Sequence, residues 1–148
     1  MHFKGVSFFA HDSGQPVYHT NVLMSVSEYL VFICLEAVVD LEARQKLLNS
    51  FSHFGKEVVT ISKIQMHNFL GNVLELKNTQ NESFLVMSTT AFECLEYAQL
   101  EIINKKMKIL HSPLNTIEYF GGGSARCMIA EIFLKPNYSG KLKYPIVS

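Results

Sequence analysis

The sequence contains no tryptophan, only three cysteines and no apolar run long enough to span a membrane. Its longest apolar stretch, Tyr29–Val39, is broken by Glu36 and falls well short of the roughly 20 residues that a transmembrane helix needs. The N-terminal residues also lack the apolar run and small-residue cleavage site of a signal peptide. We therefore expect a cytoplasmic protein without a membrane-spanning helix.

The sequence also lacks an excess of charge of either sign. Thirteen Lys and Arg residues balance thirteen Asp and Glu residues, so no net field attracts nucleic acid or an anionic membrane. Apolar residues make up 48% of the chain and charged residues 18%, which is the composition of a folded domain. We therefore expect neither nucleic acid nor a membrane among the partners.

The three cysteines, Cys34, Cys94 and Cys127, are odd in number and far apart. This spacing fits neither a disulfide framework nor a zinc site, and no two histidines or cysteines stand at ligand spacing, so we expect no metal and no other cofactor. Cys34 lies in an apolar segment and Cys94 in a helical pattern, which indicates core or boundary positions. Only Cys127 has unusual neighbours.

An internal repeat organises the chain. Asn21-Val-Leu23 recurs as Asn72-Val-Leu74, and each copy is followed by segments in the order strand, strand, helix, strand. We place repeat A at about 19–65, repeat B at about 70–120 and the opening strand of a further repeat at about 125–135. Together they predict one partial α/β domain over 1–148. The alternative is that an α/β protein reuses three residues by chance.

Local signals predict the elements within the repeats. Asp40 is a suitable N-cap and Gly55 a suitable stop, which predicts a helix between them. Its buried stripe is predicted to contain Leu41, Leu48 and Phe51. A capping-box pattern at 90–93 predicts a second helix over about 91–105. Strands are predicted, from their β-branched and aromatic residues, at 2–9, 56–62, 108–110 and 116–120.

Three polar residues occupy equivalent places in the repeat. Asn21, Asn72 and Cys127 each stand at the start of a repeat's first strand, and equivalent positions of a rotationally repeated fold converge on its axis, where they can line one pocket. The glycines at 121–123 leave room for a ligand near the backbone before Cys127, and Arg126 favours the reactive thiolate. A hairpin loop followed by a core cysteine is the alternative interpretation.

One histidine shares this placement. His19 lies two residues before Asn21, and because side chains of a strand alternate with period two, both are predicted to face the pocket of Cys127. A structural or exposed histidine is the alternative. The other five histidines stand in polar or terminal contexts and are expected at the surface: His2, His11, His53, His67 and His111.

Three ordered motifs carry a family resemblance. They are Tyr18-His-Thr-Asn-Val22, Gly71-Asn-Val-Leu-Glu-Leu76 and Gly121-Gly-Gly-Ser-Ala-Arg-Cys-Met-Ile-Ala-Glu-Ile132. Together they resemble the C-terminal half of the citrulline-utilisation hydrolase branch of the pentein (amidinotransferase) superfamily, over roughly residues 3–136. The resemblance implies a five-bladed α/β propeller of ββαβ repeats, of which this chain holds about two repeats plus flanking strands.

The resemblance also implies a chemistry. Cys127 is the expected nucleophile and His19 the general acid and base in the hydrolysis of a guanidino group, as in an arginine deiminase. A thiouronium intermediate would give a ureido product such as citrulline with water, or an amidinotransferase product with an amine. Asn21 stands where arginine deiminases carry an aspartate, and it adds no charge. The residues expected to bind substrate are Asn21, Asn72, Gly122, Gly123 and Arg126.

The resemblance covers only about half of a propeller. In relatives the carboxylates that hold the guanidinium lie largely in the other half, and Asp12, Glu75 and Glu118 are not convincing replacements. Because open blade edges favour association, we expect a complementing N-terminal half chain or further copies of this chain as partners. Otherwise the chain is the product of an interrupted gene. The alternative function is a catalytically silent half-domain that acts as an interaction module.

Overall fold

Two three-stranded sheets with the same topology dominate the computed structural model, which describes residues 5–132. In the first sheet, β3 (Met24–Val26) pairs antiparallel with β4 (Leu30–Ile33). The central strand β4 then pairs in parallel with β5 (Glu57–Thr60). A parallel pair needs a long crossover, which helix α2 (Leu41–His53) supplies.

The second sheet repeats this arrangement. Strand β6 (Leu74–Lys77) pairs antiparallel with β7 (Ser83–Ser88), and β7 pairs in parallel with β8 (Lys108–Ser112). The crossover consists of two helices, α4 (Thr89–Glu93) and α5 (Tyr97–Asn104). Both segments therefore have the predicted strand, strand, helix, strand order, and the bounds of the repeats stay a prediction.

Short elements precede and connect the sheets. They are the hairpin strands β1 (His11–Asp12) and β2 (Gln15–Pro16), the helices α1 (Thr20–Leu23), α3 (Lys63–His67), α6 (Asn115–Gly121) and α7 (Ala125–Met128), and a 3-10 turn at Leu35–Ala37. Helix α3 follows the first sheet and α6 follows the second, so the repeat extends beyond the strands. Within residues 5–132, none of the helices has the length and apolar character needed to cross a membrane.

One apolar core joins the two sheets. All four residues of β4 are fully buried, as a continuous apolar strand covered on both faces should be. Leu85 and Met87 of β7 belong to the same cluster, together with Leu47 of α2. Burying one such side chain contributes about 1.5–3 kcal/mol. The shared core holds the two repeats against each other and so fixes the positions of their first residues.

Gly71 permits a close backbone contact between the repeats. A Cβ at this position would lie 2.5 Å from the carbonyl oxygen of Val22 and 2.9 Å from the carbonyl carbon of Leu23. Real Cβ atoms do not approach backbone atoms so closely, so only glycine fits here. The contact brings the loop before β6 directly against α1.

The predicted helix from Asp40 to Gly55 is confirmed, but its predicted buried face is wrong. Asp40 caps α2 by accepting the N–H of Glu42 at 3.0 Å, and Gly55 has the positive φ of 65° expected after a helix. Leu41 is 72% exposed and Leu48 only half-buried. Of the predicted stripe only Phe51 is buried, and the face against the core consists of Ala43, Leu47 and Phe51. These three residues recur every four positions, which is the spacing of one helix face.

The predicted helix over 91–105 is divided into α4 and α5 by a break at 94–96. Ser88, and not Thr90, caps α4 by accepting the N–H of Ala91 at 3.1 Å. Helix α5 has its own start at Glu96, whose N–H is bonded to the side chain of Gln99 at 3.0 Å. Gln99 is buried and also bonded to Gln65 of α3, and these tertiary bonds favour a second helix start.

Three predicted strands are wrong where the structure describes them. Residues 116–120 lie in α6, residues 125–128 form α7, and neither 129–132 nor 5–9 is a strand. Residues 2–4 and 133–135 of these predictions lie outside the described residues. Strand propensity depends on a neighbouring strand to pair with, and within residues 5–132 the only pairing near 5–9 is a single bridge between Ala10 and Val38.

Candidate active site

Asn72 joins the starts of the repeats. It lies in the loop between α3 and β6, and its side chain is 4% exposed. Its Nδ2 donates to the carbonyl oxygen of Asn21 at 3.0 Å and to Sγ of Cys127 at 3.1 Å. Its Oδ1 accepts the backbone N–H groups of Ser124 at 3.1 Å and Cys127 at 3.4 Å. Two donors and two acceptor positions are all that an amide has, so protein groups use the whole of its capacity.

This geometry bears on the role expected for Asn72. The sequence predicts that its amide contacts substrate, yet a substrate contact requires one of its four protein bonds to break. The side chain of Asn72 instead links α1 to α7 through hydrogen bonds to Asn21 and Cys127. Asn21 and Cys127 both lie against the same buried nitrogen, although 106 positions separate them in the chain numbering.

Cys127 lies in α7 and is the exposed one of the three cysteines. Two glycines precede it, and each has a different structural role. Gly122 ends α6 with a φ of 64°, in the left-handed region that favours glycine. A Cβ on Gly123 would lie 2.9 Å from Sγ of Cys127, so the sulfur can occupy its place only because residue 123 has no side chain. Substrate contacts by Gly122 and Gly123 stay a prediction.

Arg126 is directed towards Asn21. Its Nε donates to Oδ1 of Asn21 at 3.2 Å, and its backbone N–H donates to the carbonyl oxygen of Asn72 at 3.3 Å. The side-chain oxygen that the sequence assigns to a substrate guanidinium therefore already accepts from a guanidinium of the chain itself. Arg126 and Asn21 are both half-buried, which leaves part of each accessible to a ligand.

His19 is held at the start of α1. It is the N-cap residue, and its Nδ1 accepts the backbone N–H of Asn21 at 3.0 Å. The expectation that both residues share a strand face is wrong, because Asn21 lies in a helix and strand alternation does not apply. An accepting Nδ1 places the proton of the neutral ring on Nε2. No hydrogen bond within residues 5–132 joins the ring to Cys127, and the two residues are linked through Asn21 and Asn72.

Burial separates the other two cysteines from Cys127. Cys34 is fully buried and Cys94 half-buried. Desolvation is the main cause that raises the pKa of the Cys34 thiol, and it also raises the pKa of the Cys94 thiol. Neither thiol has the properties of a nucleophile, which agrees with the expectation that both are core or boundary residues.

A buried carboxylate lies close to Cys127, and the sequence predicts neither its burial nor its hydrogen bonds. Glu118 on α6 is 9% exposed, and its oxygens accept the hydroxyl groups of Thr90 at 2.8 Å and Ser124 at 2.7 Å. Ser124 is fully buried and its N–H is the group that Asn72 accepts. A strand at 116–120, as predicted, would not place Glu118 in this way. Residues 115–121 instead form α6, which follows the second sheet as α3 follows the first.

The other acids near the motifs also have partners. Asp12 lies 2.6 Å from Nε2 of His67 and 3.9 Å from Nζ of Lys63. Glu75 accepts the backbone N–H of Glu28 at 2.6 Å through one oxygen, while the other is buried without a hydrogen-bond partner. In the part of the chain that the structure describes, no group of three or more His, Cys, Asp or Glu residues could hold a metal ion.

Comparison with known proteins identifies the family. A family model described as N,N dimethylarginine dimethylhydrolase, eukaryotic, matches residues 1–134. The chain belongs to this family. Among curated proteins, no match to this dimethylarginine dimethylhydrolase family member is found.

A solved structure is similar to this dimethylarginine dimethylhydrolase family member. It is the apo crystal structure of ArgZ, an arginine dihydrolase from the ornithine-ammonia cycle in cyanobacteria. The TM-score is 0.57 at 16% identity, and the similarity covers 75% of this chain and 15% of that one. The predicted pentein superfamily membership and the partial α/β propeller fold are thereby confirmed. The chain thus matches only a small share of the length of ArgZ.

Proposed function

We propose that this chain supplies Cys127 and His19 to a site that hydrolyses a carbon–nitrogen bond of a guanidino compound. The observation that carries the proposal is the 3.1 Å contact of Asn72 Nδ2 with Sγ of Cys127. An N–H donor directed at sulfur stabilises a thiolate, which is the nucleophilic form. The Asn72 amide also donates to the carbonyl oxygen of Asn21, and the backbone N–H of Asn21 donates to Nδ1 of His19.

The proposed reaction has two steps. The thiolate of Cys127 attacks the guanidinium carbon and forms a carbon–sulfur bond. His19, protonated on both ring nitrogens once Nδ1 has left the N–H of Asn21, then gives its Nε2 proton to the departing nitrogen as that nitrogen's bond to carbon breaks, which leaves a thiouronium on the cysteine. In the second step a water molecule loses a proton to His19 and attacks the same carbon. The carbon–sulfur bond breaks, the thiolate returns, and a ureido product is released.

The substrate class follows from the family and from the likeness to ArgZ. The family is named for the hydrolysis of dimethylarginine, and ArgZ is described as an arginine dihydrolase. Hydrolysis of either guanidino group leaves the ureido group of citrulline, and the two differ in whether dimethylamine or ammonia departs. We therefore propose citrulline as the product, in keeping with the resemblance to a citrulline-utilisation hydrolase. Comparing the two substrates identifies the leaving group.

The site residues have different parts in this proposal. Asn72 positions the thiol, since its bonds are occupied. Gly122 and Gly123 leave the backbone accessible beside the sulfur, where a planar guanidinium can approach. Asn21 and Arg126 form one hydrogen-bonded pair beside Asn72. Of these residues, only Asn21 offers the substrate a side-chain acceptor, which is shared with Arg126.

Carboxylates for the guanidinium have to come from elsewhere. Bidentate pairing with carboxylates is the strong mode of guanidinium binding. Near the motifs, Asp12 pairs with His67 and Glu118 with two hydroxyls. We propose that a complementing N-terminal half chain, or a second copy, supplies the carboxylates, as the resemblance implies.

The first test compares two alkylating reagents of similar size. Chloroacetamidine carries the charge and shape of a guanidinium, and chloroacetamide is neutral. We expect chloroacetamidine to label Cys127 faster than chloroacetamide does, and this preference to be lost in His19→Ala. The exposed histidine of α2 gives a matched control, since His53→Ala leaves the preference intact. Peptide mass spectrometry identifies which cysteine is modified.

The second test measures turnover. Citrulline formation from arginine and from dimethylarginine is assayed with the chain alone and after addition of an N-terminal half from a pentein hydrolase. We expect the added half to raise turnover and Cys127→Ser to abolish it. Equal labelling of all cysteines by both reagents, together with no citrulline in any mixture, would contradict the proposal and favour a catalytically silent half-domain.

A further inference from the structure

Within residues 5–132, a buried carboxylate without a cationic partner lies beside Ser124, the N-cap residue of the helix that contains Cys127. Both oxygens of Glu118 accept hydroxyl groups, from Thr90 at 2.8 Å and from Ser124 at 2.7 Å. Within residues 5–132, Glu118 takes part in no salt bridge. Burying a carboxylate on such terms costs free energy that an apolar residue would not cost. Its presence therefore calls for a role other than stability.

Ser124 makes an unusual bond for its position. It is the N-cap residue of α7, where a serine side chain ordinarily accepts a backbone N–H of the first turn. Here the side chain caps nothing, and its single hydroxyl proton is donated to Oε1 of Glu118. The first-turn N–H of Cys127 donates instead to the side-chain oxygen Oδ1 of Asn72, at 3.4 Å.

We propose that Glu118 is a positioning residue for Cys127 that acts through Ser124 and Asn72. Its Oε1 holds the hydroxyl of Ser124, and the N–H of Ser124 donates to Oδ1 of Asn72. The other end of that amide contacts Sγ of Cys127. This inference deepens the proposed function and rests on it for the role of Cys127.

A physical consequence follows if the acceptor at position 118 is removed. Ser124 is then no longer tied to α6, and the same tie is lost when its own hydroxyl is removed, so its backbone N–H is no longer fixed against Oδ1 of Asn72. The amide of Asn72 then loses one of the bonds that fix its orientation, and its N–H is no longer held against the sulfur. The thiol of Cys127 is still present, but it loses the hydrogen bond from Nδ2 of Asn72.

The test is the rate at which neutral chloroacetamide alkylates Cys127 at pH 7, followed by peptide mass spectrometry. Glu118→Leu and Ser124→Ala are each expected to slow alkylation about fivefold, the effect of one lost hydrogen bond of ordinary strength. Glu118→Gln is expected to stay within about twofold of the native rate, because its amide oxygen still accepts from Ser124.

Thermal unfolding of the same variants separates positioning from stability. Leucine removes the cost of a buried carboxylate but leaves the hydroxyls of Thr90 and Ser124 without their acceptor. The two effects oppose each other, so the unfolding midpoint of Glu118→Leu is expected to change little. A merely structural carboxylate would move the midpoint and the rate together. Thr90→Val is the matched control, because it removes the other hydroxyl bonded to Glu118 and leaves Ser124 in place.

Each outcome is decisive. Native rates in both Glu118→Leu and Ser124→Ala would overturn the inference, and so would equal slowing by Glu118→Gln or by Thr90→Val. Should the leucine variant not fold, Ser124→Ala and Thr90→Val decide the matter alone. Because chloroacetamide is uncharged, the result does not depend on guanidinium recognition. A failure of the hydrolase proposal would appear in the chloroacetamidine preference and in turnover instead.

Discussion

Replacing Asn72 by alanine tests the network that joins the repeats. The substitution removes two donors and one acceptor from a side chain that is 4% exposed. The N–H of Ser124 then has no acceptor, and the carbonyl oxygen of Asn21 loses one donor. The contact with Sγ of Cys127 disappears as well. We expect both the stability of the fold and the reactivity of the thiol to fall.

The magnitude follows from the burial of the groups left behind. A buried polar group without a partner costs about 1–3 kcal/mol. Ser124 is fully buried, so it incurs this cost, whereas water can reach the half-buried Asn21 and reduce its share. The free energy of unfolding should therefore fall by about 2–4 kcal/mol, a large part of the ~5–15 kcal/mol of a typical domain. For a chain of this size the unfolding midpoint drops by roughly 5–15 °C.

The assay is thermal unfolding followed by circular dichroism, with Asn49→Ala as the matched control. Asn49 is exposed on α2, and its side chain is bonded to Gln45 alone among residues 5–132, at 2.9 Å, so its loss should cost no more than about 0.5 kcal/mol. Equal midpoints for Asn72→Ala and Asn49→Ala would refute the reasoning, because they would mean that Asn72 does not hold the repeats together.

Three further predictions concern other parts of the chain. Gly71→Ala should lower the unfolding midpoint in a calorimeter, because its Cβ would lie 2.5 Å from a carbonyl oxygen of the first repeat; an unchanged midpoint would contradict that contact. The hydrogen bond from Lys77 lowers the pKa of Glu28, so the stability from this pair is present above the ordinary pKa and lost as pH falls through the lowered one. In an NMR titration Lys77→Met should raise the pKa of Glu28, and no change would contradict the pairing. Iodoacetamide at pH 8 should modify the exposed Cys127 before the buried Cys34, whose pKa burial raises; mass spectrometry would disprove this if Cys34 reacted first.

The recurrence of Asn-Val-Leu was enough to predict the architecture. Two sheets with the same strand order follow the two copies, and Asn21 and Cys127 both contact Asn72 as a rotational repeat requires. A repeat constrains long-range geometry because each copy has to fold in the same way. Helix α2 could also be predicted from local residues, because Asp40 caps its start and Gly55 follows its end.

Other features depend on contacts that no local pattern contains. Residues 115–121 are rich in β-branched and aromatic side chains, yet they form a helix in which Glu118 is bonded from two sides by groups distant in the sequence or beyond the helix. The occupied amide of Asn72 and the diverted hydroxyl of Ser124 are likewise tertiary effects. The repeat predicts that Asn21, Asn72 and Cys127 meet, but which of their polar groups stay free depends on these tertiary hydrogen bonds.

The most direct test of the central claim is a crystal structure of the chain after reaction with chloroacetamidine. We expect a single adduct on Sγ of Cys127, with the imidazole of His19 within the hydrogen-bond reach of about 2.6–3.2 Å that acid and base catalysis needs. An adduct on another cysteine, or an adduct on Cys127 with the ring of His19 turned away into solvent, would contradict it.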